Sequence, residues 1–178
     1  MSRTVLYLNS DMCASGKKFM STATPAVASS LRAVFKKVLS LDKAKQWTRH
    51  AQNIRSKLSK QPSSVGNLRS SGGHSPFVMF SATPSADILF GNKSSDGYYP
   101  ALGTSYDTYD LVSGFIDSEF EVQRLCTQII ALTLRTWADA LILPYSIKQL
   151  NIAMYRSYED IVQKYLQTFT SWQVDLGK

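Results

Sequence analysis

The chain has 178 residues, of which 44% are hydrophobic and 11% aromatic, and its formal net charge is +7. This length is sufficient for one domain with its own core, and no apolar run approaches the ~20 residues that a membrane-spanning helix needs. The opening "MSRTVLYLNSDM" has too few apolar residues for a secretory signal sequence. We therefore expect a globular, soluble chain that carries no targeting signal.

The positive charge is concentrated in one segment. Ten Lys and Arg residues lie between Arg32 and Arg69 beside one acid, Asp42, whereas the rest of the chain carries ten basic and twelve acidic residues. The segment has few aliphatic residues, and no nucleic-acid-binding module surrounds it. We interpret about residues 40–70 as a solvated basic insertion, and we expect no nucleic-acid partner.

The first part of the chain predicts a strand, a loop and a helix. "TVLYL" (Thr4–Leu8) is β-branched and apolar and indicates a buried strand, after which Asp11 follows in a polar loop. In "TPAVASSLRAVFKKVLSL", Thr24 occupies an N-cap position and Pro25 the first helical position.

A second α/β unit follows the basic segment. "SPFVMFSATPSADILFG" predicts a short helix or turn at Pro76–Ser81 and a strand at Ala86–Phe90. Open α/β sheets place ligands beyond the carboxyl ends of their strands. Asp11 and the loop of residues 91–104 are both expected there, where they could face each other.

The last third predicts two amphipathic helices. Apolar residues recur at helical spacing from Asp117 until Pro144 stops the pattern, and the same period then continues on a new axis. The two apolar faces need burial, against the α/β part, against further helices or against another subunit.

The residues by themselves indicate a crevice and no catalytic set. Imidazole is scarce, since His50 lies in the basic segment and His74 in a glycine turn. Asp11 is either a metal ligand or the centre of a polar turn. Cys13 and Cys126 are too far apart in sequence to be assigned as a disulfide.

Four segments in order resemble a known family. "YLNSD", "TATPAVASSLRAVFKKV", "GGHSPF…ATPSADILF" and "YYPALGTSYDTYDLV", followed by a helix with "ALILPYS", are similar to the later peptidase-like region of the transferrin receptor and glutamate carboxypeptidase family. The likeness covers residues 3–40 and 66–165. The loop "YPALGTSYDTY" is most similar to that of transferrin receptor.

The resemblance implies a metal site in which one ligand position is lost and one is retained. Active zinc peptidases of the family carry a His ligand, preceded by a Tyr, where this chain has Gly103 and Leu102. Asp11 matches a family Asp ligand and is the vestigial metal position, while His74 and Leu102 match pocket walls. The other ligands lie upstream of the matched region. We therefore expect no catalytic residue and no cofactor here, although active relatives bind zinc.

The resemblance also implies the architecture. The α/β fold class would be the second half of a zinc-peptidase-like α/β domain (residues 1–116), followed by the opening helical hairpin of an all-α dimerisation domain (residues 117–178). Helix packing or dimerisation is assigned to five side chains: Leu125, Ile129, Trp137, Tyr158 and Tyr165. The family's membrane anchor would belong to a full-length parent, whose relatives are cell-surface proteins.

Two functions follow as expectations. The first is a non-catalytic fragment with a receptor or protein-interaction role, which forms a homodimer through its helical region and binds a protein ligand. The alternative is a fragment of a zinc-dependent glutamate carboxypeptidase or aminopeptidase. A third reading is a truncated product with no role of its own.

Overall fold

The computed structural model describes residues 3–41, 65–68, 72–91 and 99–172. The strands are β1 (Tyr7–Asn9), β2 (Lys18–Phe19), β3 (Thr22–Ala23), β4 (Gly66–Asn67), β5 (Ser85–Asp87) and β6 (Phe90–Gly91). The helices are α1 (Pro25–Leu41), α2 (Ser75–Ser81), α3 (Tyr109–Leu111), α4 (Glu121–Ala138) and α5 (Ile147–Ser171), with a π-helical turn at Val112–Ile116. Most of the predicted basic insertion, including His50, lies outside the described residues.

Four strands form one sheet in the order β1-β5-β3-β4. β1 runs parallel to β5, β5 antiparallel to β3, and β3 parallel to β4, while β2 and β6 form a separate antiparallel pair. Because β1 lies at the end of this order, its residues are half-buried, and Val5 before it is 45% exposed. The expectation of a buried strand at Thr4–Leu8 was wrong on burial, and the strand begins later, at Tyr7.

The single strand predicted at Ala86–Phe90 is divided in two. β5 ends at Asp87, and the chain then changes partners before β6 begins at Phe90. The N–H of Ile88 still donates to the carbonyl of Asn9 (2.9 Å), whereas the carbonyl of Leu89 accepts from Met20 (3.2 Å), next to β2. The apolar run predicted as one strand therefore contributes β5 to the four-stranded sheet and β6 to the two-stranded sheet.

The helix predicted to begin at Pro25 is confirmed as α1. Thr24 joins the start of this helix to β5, because its hydroxyl accepts from the N–H of Ser85 at 3.2 Å. The buried face of α1 packs into the core, where Phe19 stacks on Phe35 with ring centroids 4.1 Å apart. This buried face comprises Ala26, Val27, Ala28, Leu31, Val34, Phe35 and Val38.

The long helix begins at Glu121, four residues later than its predicted start. Asp117 is buried and acts as a cap: its two carboxylate oxygens accept from the N–H groups of Val122 (3.2 Å) and Gln123 (3.0 Å). Capping oxygens satisfy donors that the first turn of a helix leaves unpaired. α4 and α5 both pack against α1, so the predicted helical pair is supported by the α/β part of the chain.

The observed architecture is a mixed α/β fold, as predicted. Its core is continuous across the proposed boundary at residues 116 and 117, since Phe19 and Phe90 belong to the same buried cluster as Leu125 and Ile129. The two-domain division stays a prediction. Among the described helices, none combines the length and apolar character needed to cross a membrane.

Candidate functional site

The carboxyl ends of β1 and β5 meet at one edge of the sheet. Asn9 lies opposite Asp87 in register, and its side-chain amide donates to the Asp87 carboxylate at 3.1 Å. Asp11 follows two residues later on an exposed bend. The strand ends therefore present one carboxylate that is engaged by Asn9 and one that faces solvent.

The loop that carries Asp11 is attached on two sides. On the sheet side, the N–H of Phe90 donates to the carbonyl of Met12 (3.1 Å), and the hydroxyl of Ser15 donates to the carbonyl of Phe90 (2.7 Å). On the helix side, a disulfide joins Cys13 to Cys126 in α4. The position of the Asp11 loop is thus set by hydrogen bonds to Phe90 and by one covalent link to α4.

A glycine turn closes against the end of β1. Gly72 has φ +134°, and a Cβ on it would lie 2.8 Å from Cε1 of His74. A Cβ on Gly73 would lie 3.1 Å from both the Asn9 Oδ1 and the Tyr7 hydroxyl oxygen. His74 is 2% exposed and stands immediately before α2. The turn is therefore packed tightly enough to require small residues.

Helix α2 is fixed to β1 by an aromatic stack. The rings of Tyr7 and Phe77 lie 4.1 Å apart at an interplanar angle of 19°. Burial of His74 follows from this contact, because the helix that it precedes is drawn onto the strand. The assignment of His74 to a pocket wall stays a prediction.

The loop before α3 is stabilised by its own hydrogen bonds. The hydroxyl of Tyr99 donates to the carboxylate of Asp107 at 2.5 Å, and the hydroxyl of Thr104 donates to the carbonyl of Ala101 at 2.7 Å. The hydrogen bond to Asp107, together with partial burial and the nearby negative charge, raises the pKa of Tyr99 to about 12. This loop has a defined shape although most of its residues are exposed.

Gly103 and Leu102 lie at the outer part of this loop. Gly103 has φ +74°, in the left-handed region that favours glycine, and a Cβ built on it meets no described heavy atom within 4 Å. Asp11 is therefore not in contact with this position. Leu102 is exposed. The assignments of Gly103 as a lost ligand position and of Leu102 as a pocket wall stay predictions.

The residues that the structure describes do not fit a zinc ion. A catalytic zinc normally takes three protein ligands and a water. In the described ranges, no group of three or more His, Cys, Asp and Glu side chains is arranged to hold a metal. Asp11 is exposed, Gly103 has no donor atom, and both cysteines are joined in the disulfide.

The five residues assigned to helix packing fall into two groups. Leu125, Ile129 and Trp137 are buried in the core of the chain itself, where they pack α4 onto the α/β part. Tyr158 and Tyr165 are 49% and 45% exposed on α5. Only the second group is available to a partner, and its use in a dimer stays a prediction.

The sequence did not reveal the disulfide. Its two cysteines are 113 residues apart, and their Cα atoms are brought to 5.7 Å only by packing α4 against the loop after β1. The one available signal was that the chain contains two cysteines in all. Two cysteines in a chain can form a disulfide, but their number alone does not show that they do.

No family model matches the chain. The chain is 26% identical over 174 residues to aminopeptidase NAALADL1 of Mus musculus and to its counterpart in Rattus norvegicus. Each of these matches covers 93% of the chain and 22% of the relative. It is 27% identical over 163 residues to "Probable glutamate carboxypeptidase LAMP1" of Arabidopsis thaliana, which covers 90% of the chain and 22% of that relative. The chain thus spans about a fifth of the length of these curated relatives.

Proposed function

We propose, from the relationship of this partial chain to the glutamate carboxypeptidase and transferrin receptor family, that it acts in protein interaction and not in catalysis. The observation that carries the proposal is Gly103. The resemblance implies a metal-binding imidazole at this position, and glycine has no side-chain donor. A Cβ at Gly103 would contact no described heavy atom within 4 Å, so this position of the loop is open.

Exposed aromatic side chains support an interaction role. Tyr106, Tyr109 and Phe115, in and after the Gly103 loop, are 79%, 70% and 86% exposed. Aromatic residues are enriched at protein interfaces. These three side chains are the candidates for contact with a protein ligand, and Tyr158 and Tyr165 on α5 are the candidates for a homodimer contact.

Zinc titration by calorimetry tests the central point. We expect the purified chain to show no zinc binding tighter than about 1 µM, which corresponds to about −8.2 kcal/mol. Gly103→His restores an imidazole at the lost position, but this imidazole and Asp11 together supply at most two of the three protein ligands that a zinc site normally takes. We therefore expect zinc affinity to stay weaker than about 1 µM in this variant as well. Tight binding by the unaltered chain that Asp11→Asn weakens would contradict the proposal.

Sedimentation tests the homodimer separately. At about 10–100 µM protein we expect self-association, and charge introduced by Tyr158→Lys with Tyr165→Lys should abolish it. Tyr106→Lys with Tyr109→Lys is the control, since it introduces the same charge at two exposed tyrosines outside α5. A monomer throughout this range, or equal disruption by the control, would count against a dimer through α5.

The alternative function is that of a zinc-dependent peptidase fragment. The observation that favours it is that the relatives are named as an aminopeptidase and a probable glutamate carboxypeptidase. On this reading, the missing ligands come from polypeptide outside the present chain. Zinc-dependent release of an amino-terminal residue or a carboxy-terminal glutamate from peptides, lost in Asp11→Asn, would support it over the interaction role.

A further inference from the structure

We propose that the Cys13–Cys126 disulfide is a redox-sensitive lock that fixes the loop carrying Asp11 to helix α4. Cys13 lies two residues after Asp11, and Cys126 lies in the second turn of α4. On the sheet side, the loop is hydrogen-bonded to Ile88 and Phe90. On the helix side, the disulfide is its covalent link, beside a contact of 3.6 Å between the Ser10 hydroxyl and the Cys126 sulfur. The inference is independent of whether the chain is a peptidase.

The placement of the two sulfurs determines how the lock opens. Cys126 is fully buried among Val122, Leu125 and Ile129, whereas Cys13 is half-buried at the surface. An attacking thiolate therefore reaches the Cys13 sulfur, and Cys126 becomes the leaving group. A thiolate released into apolar surroundings has a raised pKa and leaves slowly. The folded chain should resist reduction until α4 loosens from the core.

Ser10 lies beside both sulfurs. Its hydroxyl oxygen is 2.9 Å from the Cys13 sulfur and 3.6 Å from the Cys126 sulfur. In the disulfide neither sulfur carries a hydrogen, so the Ser10 hydroxyl is the only possible donor of the three. Its one hydrogen can point to the Ile88 carbonyl, 3.4 Å away, or to a sulfur. When it points to the Cys126 sulfur it stabilises the leaving group, which makes Ser10 a positioning residue for exchange.

Closure of the lock is a two-electron oxidation. The thiols of Cys13 and Cys126 form one S–S bond, while a low-molecular-weight disulfide such as oxidised glutathione is reduced to two thiols, which take up the two protons. Such oxidants prevail in secretory and extracellular compartments and are scarce in the reducing cytosol. The lock is therefore expected to be closed in an oxidising compartment and to form slowly, if at all, in a reducing one.

The closed lock should restrict both the unfolded and the folded chain. It joins residues 113 positions apart, and cross-links that close long loops remove much freedom from the unfolded state. In the folded state, opening should free the Asp11 loop on its helix side. We expect the melting temperature to fall by about 5–15 °C on reduction and amide exchange in residues 10–16 to quicken at least about tenfold.

The experiment uses the full chain in glutathione buffers of graded potential. Alkylation under native conditions followed by peptide mapping should find one linked peptide pair and no free thiol in oxidising buffer. Melting temperature and hydrogen exchange are then followed across the series. Cys13→Ser is the key variant, because it removes the lock while leaving the buried Cys126 side chain in the core. It should behave like the reduced protein in every buffer.

Three results would overturn the proposal. The first is that the half-buried Cys13 is alkylated as a free thiol in the native protein in oxidising buffer. The second is that reduction lowers the melting temperature but leaves exchange in residues 10–16 unchanged, which would make the disulfide a staple without control of the loop. The third is that Cys13→Ser still responds to the glutathione potential. Ser10→Ala should slow reduction of the folded chain without changing its melting temperature by more than about 2 °C.

Discussion

Two glycine turns lie in the matched segments of this chain, and their surroundings are opposite. At Gly72 an added Cβ would meet the His74 ring at 2.8 Å, whereas at Gly103 it would meet no described atom within 4 Å. Both glycines have positive φ, +134° and +74°. Glycine is required at position 72 because a side chain there would clash with the His74 ring. The second glycine, Gly103, is favoured by the local backbone conformation alone, since no neighbouring described atom would oppose a Cβ there.

The largest effect is expected from Gly72→Ala. Its φ lies where side-chain-bearing residues are rarely found, and the new methyl group would push into a buried imidazole that stands before α2. We expect the free energy of unfolding to fall by about 2–3 kcal/mol, measured by urea titration. Gly73→Ala should cost less, since its Cβ contacts at 3.1 Å, to Asn9 and Tyr7, require smaller shifts. A neutral Gly72→Ala would mean that the turn is not packed as described.

A smaller effect is expected from Gly103→Ala. The space is free, so only the left-handed backbone conformation is penalised, at about 1 kcal/mol. Gly103→Asn should cost less than alanine, because asparagine tolerates this conformation better. The order of the two variants, measured by the same titration, is the check. A cost for Gly103→Ala equal to that of Gly72→Ala would remove the contrast between the turns.

The sequence predicted the elements whose signals are local. The start of α1 carries a Thr-Pro signature. The helical period of the apolar residues predicted α4 and α5, and Pro144 predicted the break between them. The short strands β2, β3 and β4 have two residues each, too few for any periodicity to show. Asp117 was placed in a helix because a cap and a first-turn acid look alike in sequence. Its capping bonds depend on the backbone path through the π-helical turn before it.

For the candidate site, the sequence predicted positions and not contacts. Asp11 was correctly expected just after a strand, and the family resemblance that singled out Gly103 is supported by the relatives. The burial of His74 and the pairing of Cys13 with Cys126 depend on how α2 and α4 settle on the sheet. Contacts between distant segments have no local signal, which is why these features emerged only from the structure.

The hydrogen bond between Tyr99 and Asp107, in the loop around Gly103, can be tested by titrating Tyr99. Hydrogen bonding to Asp107 is the main cause of the raised pKa of Tyr99, about 12 in the folded chain against an ordinary value of 10.0. Asp107→Asn should therefore bring the pKa of Tyr99 back towards 10.0. The tyrosinate absorbance of each protein, after subtraction of its Tyr99→Phe partner, isolates this one titration.

The same pair makes stability depend on pH in a defined window. Because the folded chain holds the Tyr99 proton more tightly than the unfolded chain, the contribution of this group is fully present below pH 10.0 and is lost as pH rises through about 12. The difference in unfolding free energy between the unaltered chain and Tyr99→Phe should shrink across that interval. In the Asp107→Asn background the change with pH should be much smaller, since only the partial burial of Tyr99 remains to raise its pKa. A window that persists without Asp107 would show that burial of the ring, and not the carboxylate, shapes this loop.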